Sequence, residues 1–275
     1  MGNRLQILIS AVNKDPDALI RSNGIECDAI VVNQVIDGSE AAESAEDIVE
    51  DKNIDGKAVR IVTMHRKGVG LSRNTALDNA DHEIIQFGDD DIVYSSGYSA
   101  LILEEFDKHK EADVILFNVL AQPGRETYWN QDYKRVSWFN YGRYPAYAIC
   151  ARLDKLKEAG VKYSLLFGGG APYMNGEDSL FLHDCLKAGL KIYRTTVELG
   201  HEMSTGTSTW FKGYTEKFFF DRGVLYHFLY GKAAFVWGLR YLLKNNDNMC
   251  DEMGFFKCFG ILLKGVKHGK GLKKV

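Results

Sequence analysis

The chain has 275 residues, 45% hydrophobic and 26% charged, which suits a folded protein with a sizeable core and excludes a long disordered polymer. Its formal charge of −3 hides an asymmetry, because six Lys and no acid follow from Lys257 onward; an acidic body excludes a nucleic-acid reader, and a basic tail points to an anionic surface. Five scattered Cys without a Cys-x-x-Cys pair exclude a disulfide framework or zinc site and fit a reducing, cytoplasmic compartment, and no uncharged apolar run approaches the ~20 residues of a membrane span.

The first apolar run, LQILISAV over 5–12, predicts a strand, and PDALIRS after it a short helix. DAIVVN (28–33), AVRIVTM (58–64), EIIQF (83–87) and DVILFNV (113–119) repeat the strand pattern. They are β-branched and almost continuously apolar, as in strands covered on both faces. A Ser/Ala/Glu-rich stretch over 39–51 and the segments SRNTALDNA and SSGYSALILEEFDKHK read as the helical or polar connections between them. Strand–helix alternation predicts an α/β fold with a mixed, mainly parallel sheet flanked by helices. Ligands of such sheets bind beyond the carboxyl ends of the strands.

The second half, from about Ala121, is richer in Tyr, Trp and Gly. AYAICARLDKLKEAG predicts a strand and a short helix stopped by Gly160; GEDSLFLHDCLKAG predicts a helix stopped by Gly189; LKIYRTTVEL predicts a strand. From Phe211 the pattern is helical and aromatic, so residues 1–210 are expected as the α/β domain and 211–275 as a helical extension. On a helix over 255–267, Phe255, Phe256, Phe259, Leu262, Leu263 and Val266 share one face, with Lys257, Lys264 and Lys267 opposite or at its flank. Two partners suit that face: a membrane surface, which would make 255–275 a peripheral anchor, or the protein's own body.

Four segments carry chemistry. FGDDDI puts Asp89, Asp90 and Asp91 at the exit of a buried strand, where a solvated acidic turn or a hard divalent cation would relieve their repulsion. In KGVGLSRNTALDNA, Gly68 and Gly70 permit a tight backbone, Ser72 can cap a helix, and Arg73 in its first turn offers an anion site. Glu177 and Asp178 open a helix, where the dipole favours carboxylates, and either could serve as a general base. His201 follows a strand and precedes a Ser/Thr/Gly loop, 204–210, that ends in Trp210 and has the composition of a mobile lid.

The order of these segments, over about residues 4–205, resembles the inverting family 2 glycosyltransferases of GT-A fold and bacterial surface-polysaccharide type. GLSRNTAL looks like that family's Arg-Asn helix, FGDDDI like its Asp-x-Asp motif and GEDSLF like its Glu-Asp pair. The resemblance implies Mn²⁺ or Mg²⁺ on Asp91, Asp89 and His201, and a nucleotide-sugar donor, UDP favoured. Ser10, Val12, Asn13, Asn33, Arg73, Asp89, Asp90 and Trp210 would meet the nucleotide and diphosphate. Asp178, with Glu177 beside it, would deprotonate a saccharide or lipid-linked acceptor on the cytoplasmic face of a membrane. The chain departs from the family at its second strand, which ends in Asn33-Gln34, with Asp37-Gly38-Ser39 only later. Among rivals, a sugar nucleotidyltransferase would want a Gly-rich loop after strand one, where ISAVNKDPD has no Gly. A haloacid-dehalogenase-type phosphatase would carry Asp-x-Asp after its first strand. A non-catalytic sugar-nucleotide-binding or scaffold protein would need neither Asp178 nor a metal.

Overall fold

The computed structural model describes residues 4–36, 46–203 and 213–273. Ten strands form one sheet in the order β3-β4-β2-β1-β5-β9-β7-β10-β6, with β8 (Lys134–Arg135) paired to β10. Strands β1 (Leu5–Val12), β2 (Asp28–Gln34), β4 (Lys57–Met64) and β5 (Ile84–Asp89) make a parallel block, β4-β2-β1-β5. Their apolar runs are buried on both faces, as the near absence of alternation requires. Beyond β5 the sheet becomes mixed. β9 (Ile149–Arg152) runs antiparallel to β5 and to β7 (Val114–Leu120), β10 (Ile192–Glu202) runs parallel to β7, and β6 (Ile92–Tyr94) closes the edge antiparallel to β10.

The stretch over 39–51 is only partly within the described residues, and the part that is described is not helical. Residues Ile48–Ile54 form β3, antiparallel to β4 at the sheet edge. Asp55 and Gly56, both at positive φ, make the two-residue turn between them, the geometry an Asp-Gly pair favours in a tight hairpin. Ile48 to Asn53 are exposed and mostly charged or polar, a composition that discourages edge-to-edge pairing.

Helices α1 (Pro16–Ser22), α2 (Val69–Asn79), α3 (Tyr98–Lys108), α4 (Leu153–Ala159) and α5 (Glu177–Lys187) alternate with the strands. Three more follow: α6 (Glu216–Tyr230), α7 (Ala234–Met249) and α8 (Phe255–Gly269). The stripe α8 buries differs from the expected one: it is Cys258, Ile261, Leu262, Gly265 and Gly269 that face inward, whereas Phe256 is exposed and Phe255 and Phe259 are half-buried. Small residues decide this. A Cβ at Gly265 would collide with the carbonyl of Phe220, and one at Gly223 with that of Leu262, so α6 and α8 cross backbone to backbone. Helix α8 therefore packs on the body through this stripe. Among the described residues no helix is long and apolar enough to cross a membrane.

Candidate active site

A cavity of about 730 Å³ opens at the carboxyl ends of β1 and β5, where a parallel block leaves its crevice. Ser10, Val12 and Asn13 from the end of β1 line one side, and Asp89, Asp90 and Asp91 another. Glu177 and Asp178, from the first turn of α5, line it as well. Residues more than eighty positions apart thus meet in one space.

The β1 side is fixed by local hydrogen bonds. Asn13 sits at φ 51°, accepts from Ile36 N at 2.9 Å and donates its own N–H to Gln34 O at 3.0 Å. Asn33 turns to the loop instead of the cavity: it donates to Lys14 O at 2.8 Å and accepts from Lys14 N at 3.1 Å. Its neighbour Gln34 lines the cavity and donates to Arg66 O at 2.6 Å. Ser10 reaches α2 through a 2.9 Å hydrogen bond from Ser72.

That bond places Ser72 inside α2. The helix begins at Val69, with Gly68 at its cap position, so Ser72 caps nothing and Arg73 lies in the second turn. Arg73 is 4% exposed. It donates to Asp89 at 2.9 Å and to Asp178 at 2.8 Å, and lies 3.4 Å from Glu177. A buried guanidinium needs such partners: Nη1 meets Asp178 and Glu177, and Nη2 meets Asp89. Its ring neighbour is Tyr163, whose face lies 5.2 Å from the guanidinium carbon.

Asp178 keeps 21% of its side chain open to the cavity. Its carboxyl is held above the usual range chiefly by burial, with Arg73 opposing and Glu177 and Asp89 adding to the rise. The backbone N–H of Ala146 also bonds it. Across the cavity Asp91 is pushed up to about 6 by burial first and then by Asp89, Asp90 and Glu202, against the pull of Arg125. Asp90 is raised as well, mainly by burial, while Lys14 at 3.9 Å opposes. Asp89, Asp90, Asp91 and Glu202 share one edge of the cavity, and carboxylate oxygen is the donor a hard cation takes. Among the described residues no three of them already converge as ligands. One or two would therefore serve, with water and phosphate completing the shell.

The structure does not bring His201 to the cavity. It is exposed on β10, and Glu202, one residue on and on the opposite face of the strand, lines the cavity instead. Glu202 accepts from Gln122 N at 2.9 Å and pairs with Arg125 at 3.4 Å. Trp210 and the stretch 204–210 lie outside the described residues. The sequence reading also missed Lys67, Arg125, Tyr147 and the run Gly168-Gly169-Gly170. The triple glycine was a visible signal. Val69 N donates to Gly169 O at 2.8 Å, and a Cβ at Gly168 would press on Glu177, so this loop packs directly over the start of α2 and against α5.

A family model described as glycosyl transferase family 2 matches residues 17–160, just over half the chain. Among solved structures, S. aureus TarS 1-349 in complex with UDP-GlcNAc is similar at 13% identity with a TM-score of 0.60, over 89% of this chain and 73% of that one. The complex of TarS 1-349 with UDP is similar at 15% identity and a TM-score of 0.56, over 89% and 72%. The longer TarS structure matches at 14% identity and 0.57, with 43% of its length covered. These likenesses are of fold. No curated protein matches the chain in sequence.

Proposed function

This chain belongs to glycosyl transferase family 2, and from that premise we propose that its cavity holds a UDP-sugar and that Asp178 activates the acceptor hydroxyl for an inverting transfer. One observation carries the reading: Asp178 and the Asp89–Asp91 run line a single cavity from distant parts of the sequence, with Arg73 hydrogen-bonded to both sides. TarS, of the same fold, is described with UDP-GlcNAc and with UDP, which favours a UDP-sugar here.

The residues fit a divalent cation, Mn²⁺ or Mg²⁺, held by Asp91 and Asp89 with Glu202 within the same electrostatic neighbourhood. Bound there, it would neutralise charge on the diphosphate. The chain's own groups do the rest. Ser10, Val12, Asn13 and Gln34 border the nucleotide side, and Lys67 and Arg125 are the cations that line the cavity where phosphate would lie. Arg73 is committed to three carboxylates, so it positions Asp89 and Asp178 rather than serving as the phosphate ligand. Asp178 takes the acceptor proton as the new bond forms, and its raised pKa makes it a stronger base near neutrality than an ordinary Asp. Displacement from the face opposite the leaving diphosphate inverts the anomeric centre. The acceptor is a saccharide or lipid-linked hydroxyl of surface-polysaccharide assembly.

A panel of UDP-, GDP- and TDP-sugars with Mn²⁺ tests this. Turnover of a UDP-sugar with an inverted product is expected. No turnover of any UDP-sugar, or a retained configuration, sinks the reading.

A further inference from the structure

Helix α7 buries one narrow stripe, Ala234, Gly238 and Leu242, against α6 and α8; a Cβ at Gly238 would collide with the side chain of Leu262. At 100° per residue, Val236, Leu239 and Leu243 form a separate face, and Phe235 lies between it and the buried stripe. Three of these four are exposed, Leu243 at 63%, and Leu239 is half-exposed. Arg240 and Lys244 follow along the edge of that stripe, and Lys232 precedes it in an exposed turn. A surface helix of a self-sufficient domain normally shows polar groups there.

A second apolar element lies by the turn that leads into α7. The loop at 137–143 carries exposed Trp138 and Phe139, the latter 89% exposed. Its Tyr141 lies against Tyr230, which immediately precedes the turn into α7. Gly142 O accepts from Ser179, the neighbour of Asp178, at 3.2 Å, and Ala146 N–H bonds Asp178 itself. The aromatic loop therefore links the end of α6, just before the turn into α7, to the first turn of the helix that carries Asp178.

Charge selects the occupant. Residues 211–275 hold twelve Lys or Arg against five Asp or Glu, while the rest of the chain holds 22 against 32. A second copy packed through the same stripe would bring Arg240 and Lys244 toward their own mates, which is unfavourable. An anionic lipid surface matches both features: the interface takes Trp and Phe at headgroup depth and attracts flanking Lys and Arg. We propose that the outer face of α7, with the Trp138–Phe139 loop, docks this protein on an anionic membrane. The sequence pattern left 255–275 open to that role or to packing on the body, and α8 buries its main stripe on the body. The docking surface stands or falls without the sugar-transfer reading.

The test is co-sedimentation of the full chain with vesicles of phosphatidylglycerol and phosphatidylcholine in equal parts, against vesicles of phosphatidylcholine alone. The wild type is expected to pellet with the first and to remain in solution with the second. Val236→Glu combined with Leu243→Glu is expected to lower partitioning by roughly tenfold or more, with an unchanged melting curve because both side chains are exposed. Three outcomes overturn the proposal: no wild-type binding to the anionic vesicles, equal binding by the double variant, or equal binding to neutral vesicles. A concentration-dependent dimer that the double variant abolishes, without vesicle binding, assigns the face to a second copy and overturns it too.

Discussion

Glu202, at the end of β10, and Arg125, in the loop after β7, form an ion pair 3.4 Å apart at the edge of the cavity. The pair feels Asp91 from both signs: Glu202 raises its pKa and Arg125 lowers it. Burial and then Asp89 and Asp90 raise Asp91 most, and this pair adds a smaller push from each sign.

The first prediction concerns pH and metal. Asp91 titrates at about 6 in the fold and near 3.9 in the unfolded chain. Its folded pKa is raised, so ionised Asp91 destabilises the protein above about pH 6; the penalty fades between about 6 and 4 and is absent below. Asp91→Asn should stabilise the metal-free protein by about 1–2 kcal/mol at pH 8, after a discount for partial exposure, and not at all below pH 4. With Mn²⁺ and UDP present the order should reverse, since only the wild type gains. Urea unfolding with EDTA or with Mn²⁺–UDP reads both effects. A variant that still gains from Mn²⁺–UDP as the wild type does would remove Asp91 from the cation site.

Asp178→Asn should fold and bind UDP near normally, yet lose transfer by roughly a hundredfold or more. Wild-type kcat should rise with pH through the elevated pKa of Asp178, because only the ionised form accepts a proton. Glu177→Gln should cost less, since Glu177 is buried beside Gly168 and lies farther from Arg73. Single-turnover transfer with each variant decides it; full activity in Asp178→Asn would end the base assignment.

Arg73→Met should be strongly destabilising. It leaves Asp89, Asp178 and Glu177 without their common partner, a loss of about 3 kcal/mol by analogy with broken buried ion pairs. Part of that loss should be recovered at low pH, where the carboxyls protonate. A denaturation midpoint equal to the wild type's would contradict the positioning role.

Gly265→Val should unseat α8. The new side chain has no room beside the carbonyl of Phe220, so either the helices separate or the substitution costs about 2 kcal/mol or more. Limited proteolysis after α7 is the sensitive readout; an unchanged cleavage pattern and melting temperature would mean that the crossing is looser than described.

The strands of the parallel block were legible because each is a β-branched apolar run with no alternation, and the structure pairs them as β4-β2-β1-β5. The hairpin of β3 and β4 was missed: Asp55-Gly56 marks its turn, but its exposed, charged edge strand lacks the apolar run that marks the others. Asp178 and the Asp triplet could be picked out as carboxylates at element boundaries. That one Arg holds them together could not, because the contact spans 105 residues and depends on α2 starting at Val69 rather than at Ser72. His201 and Glu202 illustrate the same limit. Strand phase decides which of two neighbours faces the cavity, and a bulged β10 carries little alternation to read it from. On α8 the apolar residues were visible, but the buried stripe follows Cys258, Gly265 and Gly269, which a hydrophobicity pattern ranks below phenylalanine.

Arg73 divides one positive charge between Asp89, on the proposed donor side, and Asp178, on the proposed acceptor side. A cation held by Asp89 would leave more of that charge for Asp178 and would stabilise its ionised form. Filling the first subsite thus prepares the second, and by reciprocity an ionised Asp178 competes with Asp89 for the arginine. In kinetic language, this predisposes the enzyme to an ordered sequence in which the nucleotide-sugar enters before the hydroxyl that attacks it, and initial-rate patterns with UDP as inhibitor should be competitive against the donor alone.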